Sequence, residues 1–362
     1  MDERLERYAE LAVRVGANVQ PGQEVFVLPM VEHADLGRAL VRQAYEAGAS
    51  YVAPARGALP QRASRDAGKA RRMTELDVTL RDGRTLHVYD GGGQDGKVVV
   101  QHHGTPGSGL TYPPDIERAR ERGLRLVCYD RAGYGGSTPK PGRSVVDVVA
   151  DVEDVLDSLE IERYVSLGGS GGCPHSFACG ARSARCLAAA AIAAPTPYPA
   201  EGLDWVAGMG EQNIEEFGAA LEGPEKLEPY LEHEAADLRA ATPEQIKEVL
   251  ASVLPPVDAA VLTGDRAEHT KRNLDRAIAH GIAGWRDDDI AFTKPWGFEL
   301  DEIRAPTLLW QGVQDKMVPV AHARWLAERI PGVEAHISEE DGHLSISVGR
   351  LGEIYDWLAA RF

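Results

Sequence analysis

Residues 163–182 read RYVSLGGSGGCPHSFACGAR, and this stretch decides the fold. Arg163–Leu167 is a short run of β-formers bounded by glycine, which predicts a buried strand. Gly168-Gly169-Ser170-Gly171-Gly172 follows it, and the small residues beyond predict a helix. A strand that turns this sharply into a helix holds Ser170 in strained backbone, and Gly168 and Gly172 must be small for the two segments to approach. Glycine is common in the chain, with 38 in 362 residues, so the spacing alone also fits an ordinary turn. The surroundings have to decide.

Working outward, strands alternate with helices. Glu75–Leu80 and Arg84–Tyr89 flank Asp82-Gly83 as a hairpin. Lys97–His102, Leu124–Tyr129, Cys186–Ala194, Pro306–Trp310 and Val333–Ile337 are further apolar strand runs. Ser144 caps a helix with the stripe Val145, Val148, Val152, Val155 and Leu159. Ala321–Ile330 and Ile346–Phe362 are predicted helices. Such alternation places the chain in the α/β class, with a mostly parallel sheet covered on both faces.

Ser170 has partners that make chemical sense. A serine hydroxyl is a weak nucleophile and needs a base, which in turn needs an orienting acid. His343 lies in Asp341-Gly342-His343, just after the last predicted strand, and Asp315 lies just after Pro306–Trp310. Loops at the C-terminal ends of strands are where an open α/β sheet gathers its ligands and reactive groups. Asp341 competes with Asp315 as the acid; the loop position favours Asp315. Of the 11 histidines, His103 is expected to shape its loop and His175 to be structural. Acyl transfer also needs two N–H donors for the oxyanion. The backbone N–H groups of Thr105, in the loop after Lys97–His102, and of Gly171, beside the nucleophile, are the candidates.

The motifs HGTPGSG (103–109), YDRAGYGGS (129–137), GGSGG, QGVQD (311–315) and DGH (341–343) together resemble the α/β-hydrolase superfamily over residues 74–362. The nearest resemblance is to its proline-iminopeptidase-like and esterase branch. The resemblance implies an eight-stranded sheet, with a helical cap between strands six and seven. It also implies acyl transfer by Ser170, His343 and Asp315 with no cofactor and no metal. Residues 73–195 and 301–362 would form the core and 196–300 the cap. Glu244–Leu254 looks helical within it. Gly171 departs from proline iminopeptidases, which often carry a bulky residue there, and implies a roomier elbow. Serine at 170 argues against dehalogenase or epoxide-hydrolase chemistry, which needs a carboxylate nucleophile.

Residues 196–300 carry 21 acids against 9 bases, read first as a solvated acidic surface. The same stretch offers Trp205, Met209, Phe217, Trp285, Phe292 and Trp296 as apolar substrate contacts, though a cap needs an apolar underside in any case. Three functions stay open. One is a carboxylesterase or lactonase. The second is an aminopeptidase or amidase, which would need paired carboxylates for the substrate's amine. The third is a non-catalytic binding protein on the same fold.

Residues 1–56 differ in character and predict a small α-β-α-β segment, with a turn at Gln20-Pro21-Gly22 and a polar basic linker over 57–72. LERYAELAVRVGANVQPGQEVFVLPMVEHADLGRALVRQAYEAGASYV resembles the start of the thermophilic-type metalloaminopeptidases. That family's metal ligands lie in a later part with no counterpart here, so no metal site is carried over. The segment is read as a truncated relic, a natural fusion, or a read-through upstream of Met73. Its expected role is packing or oligomer contact.

The net charge of −17 speaks against a nucleic-acid partner, which needs a basic face. No apolar run reaches the ~20 residues needed to span a bilayer, and the charged N-terminus lacks a signal peptide's apolar core. The four cysteines form no C-x-x-C pair and read as reduced thiols, so a cytoplasmic protein with a small-molecule ester or amide substrate is expected.

Overall fold

A computed structural model describes residues 73–92 and 96–362, and before them residues 7–10, 12–16, 19–20, 24–27, 40, 43–44, 47 and 51–54. The chain divides into two compact units, Met1–Arg71 and Arg72–Phe362. In the first, strands β1 (Glu24–Val27) and β2 (Tyr51–Pro54) pair in parallel from Glu24↔Tyr51 to Val27↔Pro54. Ala9, Val13, Val19 and Ala44 are buried there. The expected 57–72 linker and the Pro21-Gly22 turn lie outside the described residues.

The second unit is built on eight strands: β3 (Thr74–Thr79), β4 (Thr85–Asp90), β5 (Lys97–His102), β6 (Leu124–Tyr129), β7 (Tyr164–Gly169), β8 (Cys186–Ile192), β9 (Thr307–Gly312) and β10 (Glu334–Ser338). They lie in the order β10-β9-β8-β7-β5-β6-β4-β3. β4 is antiparallel to both β3 and β6, and the remaining pairings are parallel. Gly83, at φ 86°, makes the hairpin turn that Asp82-Gly83 predicted.

Both faces of the sheet are covered, which is why its inner strands read as unbroken apolar runs. Along β5, Val98 and Val100 enter one layer with helices α2 (Val148–Ser158) and α3 (Cys173–Arg182). Val99 enters the other, with α1 (Pro113–Arg120) and the terminal helix that begins at His343. The sequence did not signal α1, because only Ile116 and Ala119 on it are buried.

The connection from β8 to β9 carries six helices among the described residues: α4 (Glu211–Glu222), α5 (Pro224–Ala240), α6 (Ile246–Val249), α7 (Pro256–Val261), α8 (Gly264–Ala277) and α9 (Ala283–Phe292). After β9 come α10 (Val320–Ala327) and α11 (His343–Ala359). The inserted helices have an apolar core of their own around Leu227, Leu231, Leu238, Leu262 and Trp285. The helix expected over Glu244–Leu254 shrinks to the four residues of α6. Past Val249 the chain leaves the helix, and Ser252 bonds Gln212 of α4. No helix among the described residues is long and apolar enough to cross a membrane.

Candidate active site

Ser170 closes β7 in a left-handed conformation, φ 53°, which a non-glycine residue adopts only under constraint. The glycines around it show the constraint. A Cβ on Gly168 would fall 2.4 Å from Gly172 O, and one on Gly172 would fall 2.2 Å from His102 O. Both obstacles are backbone, so neither position accepts a side chain.

The loop after β5 lies against this turn. A Cβ on Gly104 would lie 3.5 Å from Ser170 Cβ. Thr105 and Gly171 face one another: a Cβ on Gly171 would stand 2.4 Å from Thr105 Oγ1 and 3.2 Å from the Phe292 ring. The elbow is therefore not roomier for having glycine after the serine. Thr105 and Phe292 already occupy that space.

Asp288 of α9 fixes the same loop. It is fully buried and its Oδ2 accepts from Thr105 Oγ1 at 2.7 Å, Tyr134 OH at 2.8 Å and Arg131 NH2 at 2.6 Å. Arg131 also donates to His103 O, to Gly104 O and to Thr105 Oγ1. Arg143 pairs with Asp288 Oδ1 at 2.7 Å. Burial resists the Asp288 charge, but Arg131 and Arg143 outweigh it and hold the carboxyl well below its usual range. His103 bonds Gly104 O through Nδ1 and accepts the Arg131 N–H at Nε2, so it shapes the loop. His175 is fully buried in the adjoining layer, and burial holds its imidazole down at about 4.

Past the C-terminal ends of β9 and β10, His343 Nδ1 bonds Asp315 Oδ2 at 2.8 Å. Gln311 Nε2 also donates to Oδ2, and the N–H groups of Met317 and Val318 donate to Oδ1. The carboxylate is thus held at both oxygens before it meets the imidazole. Asp341 turns away to Ser338 Oγ and Arg350. Burial disfavours the imidazolium, yet Asp315 and, beyond it, Asp258 overcome this and raise the His343 pKa above its ordinary value. Among the described residues no hydrogen bond links Ser170 Oγ to His343 Nε2.

Residues 97–349 match the family described as alpha/beta hydrolase fold. The chain belongs to the α/β-hydrolase fold family. A non-heme chloroperoxidase from Streptomyces lividans is 30% identical over 147 residues, 40% of this chain and 53% of the relative, so the chain spans about half of that protein's length. A 2-hydroxy-6-oxononadienedioate/2-hydroxy-6-oxononatrienedioate hydrolase from Cupriavidus pinatubonensis (strain JMP 134 / LMG 1197) is 26% identical over 286 residues, 75% of this chain and 89% of the relative. A solved hydrolase from Pseudomonas aeruginosa PA01 matches with TM-score 0.60 at 19% identity, over 82% of this chain and 99% of that one, and supports the fold alone. Residues 1–76 match the family described as thermophilic metalloprotease (M29). Aminopeptidase 2 of Geobacillus stearothermophilus is 51% identical there over 51 residues, 14% of this chain and 12% of the relative.

The apolar residues proposed from the insertion of this α/β-hydrolase scatter. Trp205 and Met209 are buried in a small cluster with Phe217, and Trp205 Nε1 bonds Thr196 O. Trp296 packs into the main core beside Phe298. Trp285 belongs to the core of the inserted helices and donates from Nε1 to Glu216 Oε1 at 2.6 Å. Only Phe292 is seen to approach the elbow.

The acidic run of α9 is not a solvated face. Asp288 and Asp289 are fully buried and Asp287 nearly so. Neither oxygen of Asp289 has a hydrogen-bond donor among the described residues, and its close neighbour is Glu216 of α4. Burial pushes both carboxyl groups upward; the charge of Glu216 adds to this at Asp289, whereas hydrogen bonds from Trp285 and Asp289 partly offset it at Glu216. Two facing acceptors with no donor between them call for a shared proton or a cation. Sequence reasoning missed Asp258, Asp288, Asp289 and Glu216, because acids on helices ordinarily face water. A cleft of about 560 Å³ between α5 and the start of α9, lined by Glu225, Glu228, Glu232 and Arg286 among others, shares no residue with this site.

Proposed function

We propose that this α/β-hydrolase cleaves carboxylic esters, as a carboxylesterase or lactonase, by two-step acyl transfer. The observation that carries the reading is the 2.8 Å bond from His343 Nδ1 to Asp315 Oδ2, on the sheet edge where Ser170 ends β7. His343 Nε2 takes the Ser170 proton as Oγ bonds to the carbonyl carbon. The oxyanion is received by the N–H groups of Thr105 and Gly171. The bond to the leaving alcohol then breaks, and the alcohol departs with the proton from Nε2. Water, giving a proton to His343, next attacks the acyl carbon; the acid leaves and Ser170 regains its proton. Every group required is a side chain or backbone amide of the chain itself. The four buried thiols suit a reducing compartment, which supports a cytoplasmic setting.

One observation favours a second reading, an aminopeptidase or amidase acting on substrates with a free amine. Asp289 and Glu216 form the kind of carboxylate pair that holds an ammonium group, and Asp289 lies one helical turn before Phe292. Hydrolysis of a short-chain p-nitrophenyl ester and of prolyl-p-nitroanilide, compared side by side, separates the two. Ester turnover that falls on the order of 10⁴-fold in folded Ser170→Ala supports the first reading. Preferential anilide turnover, lost in Asp289→Asn, supports the second. Turnover that survives Ser170→Ala overturns both, and a folded protein that turns over no acyl substrate points to a binding role.

A further inference from the structure

Helix α11 begins at His343, so the base is its first residue and its backbone N–H is one of the donors that a helix leaves without internal partners. The usual remedy is a side chain at the preceding position. That position is Gly342, which has none. Asp258, on α7 of the insertion, takes its place. Its Oδ2 accepts the His343 N–H at 2.7 Å. Its Oδ1 accepts the N–H of Leu344 at 3.0 Å, the N–H of Ser345 at 2.8 Å and the Ser345 hydroxyl at 2.8 Å. Gly342 N–H closes the turn by donating to Ser345 Oγ at 2.7 Å.

Two features mark this as a fitted seat. Asp258 is fully buried, and no cation pairs with it among the described residues, so its charge is met by the three N–H groups and the hydroxyl. A Cβ on Gly342 would fall 2.6 Å from Asp258 Oδ2 and 2.7 Å from Oδ1. Any side chain at position 342 would therefore meet the carboxylate that caps the helix.

We propose that Asp258 is a positioning residue for the reaction: a side chain of the helical insertion that fixes the backbone of His343 and so aims the base. This rests on His343 being the base, as argued above. Asp315 orients the ring through Nδ1, whereas Asp258 anchors the main chain from which the ring hangs. The charged groups bearing on the imidazole are these two aspartates, from the loop after β9 and from α7, and both favour its protonated form. The insertion is then part of the catalytic assembly and not only a cover. Any displacement of α7 would release the turn that carries the base.

The full-length protein tests this through Asp258→Asn and Gly342→Ala, read by the NMR titration of the His343 imidazole and by kcat, KM and the pH profile on a p-nitrophenyl ester. Both variants are expected to lower kcat about 10- to 100-fold, the scale of a misaimed catalytic group, with KM nearly unchanged. In Asp258→Asn the His343 titration and the acidic limb of the rate profile move to lower pH. Gly342→Ala keeps every charged residue and drives a Cβ into the seat, so it reads the inference even if Asp258 variants fail to fold. Loss of thermal stability with kcat and the His343 titration unchanged would reduce Asp258 to a structural cap and overturn the inference. The titration is independent of any substrate, and Ser170→Ala tests the proposed function separately. If Ser170→Ala abolishes turnover while Asp258→Asn and Gly342→Ala change nothing, only the inference about Asp258 fails.

Discussion

Asp341 is His343's near neighbour in sequence and Asp315 lies 28 residues away, yet only Asp315 reaches it. Asp315→Asn should therefore lower kcat on the order of 10⁴-fold, since an amide cannot hold the imidazole in the required tautomer or support its charge. His343 must be neutral to act as a base, and Asp315 helps to raise its pKa. Without that carboxylate, the acidic limb of the residual pH–rate profile should move to lower pH. Asp341→Asn should change kcat little. The buried pair makes a separate prediction about stability. Asp289 and Glu216 have folded pKa values above their unfolded ones, so the folded state binds more protons. Their contribution is present in acid and is lost as pH rises above about 4, the unfolded carboxylate value. Asp289→Asn removes one charge and supplies an N–H for Glu216. Its melting temperature should exceed that of the parent at pH 8, with the difference closing toward pH 4.

The β7–α3 turn shows what an element demands of its residues. Strand runs, glycines and the following helix were all legible around Ser170, because a buried parallel strand and a sharp turn leave few residue types to choose from. The consequences of each glycine were not. Gly172→Ala drives a Cβ into His102 O and should cost about 1–3 kcal/mol as overpacking against rigid backbone. Gly171→Ala meets Thr105 instead, whose hydroxyl Asp288 and Arg131 hold, so the Thr105 loop must move. That variant should lower the melting temperature less than Gly172→Ala and lose activity by up to about 10²–10³-fold as the proposed oxyanion donors separate. Comparing melting temperature with kcat for the two variants separates packing from catalysis. Strand ends were legible to within about two residues. α1 was missed for its few buried positions, and the helix expected over Glu244–Leu254 shrank to α6, with Ser252 beyond it bonded to Gln212 of α4.

At the scale of the whole molecule, the sheet and every proposed catalytic residue belong to the unit Arg72–Phe362. A protein that starts at Met73 should keep kcat and KM on an ester within about twofold of the full chain, which steady-state kinetics would check. A loss of turnover would give residues 1–72 a part in function.

The sequence by itself determined the α/β class, the order of the strands along the chain and the candidates Ser170, His343 and Asp315. Those follow from local rules: strand periodicity, turn chemistry, and reactive residues placed just after strands. Tertiary structure alone decided which aspartate meets His343, that Thr105 and Phe292 fill the space beside Gly171, and that an acidic run would be buried as Asp288 and Asp289. It also decided that Asp258, 85 residues before His343, would cap the helix that His343 begins. These depend on which helices meet, and an acid on a helix has the same local signature whether it faces water or a helix end.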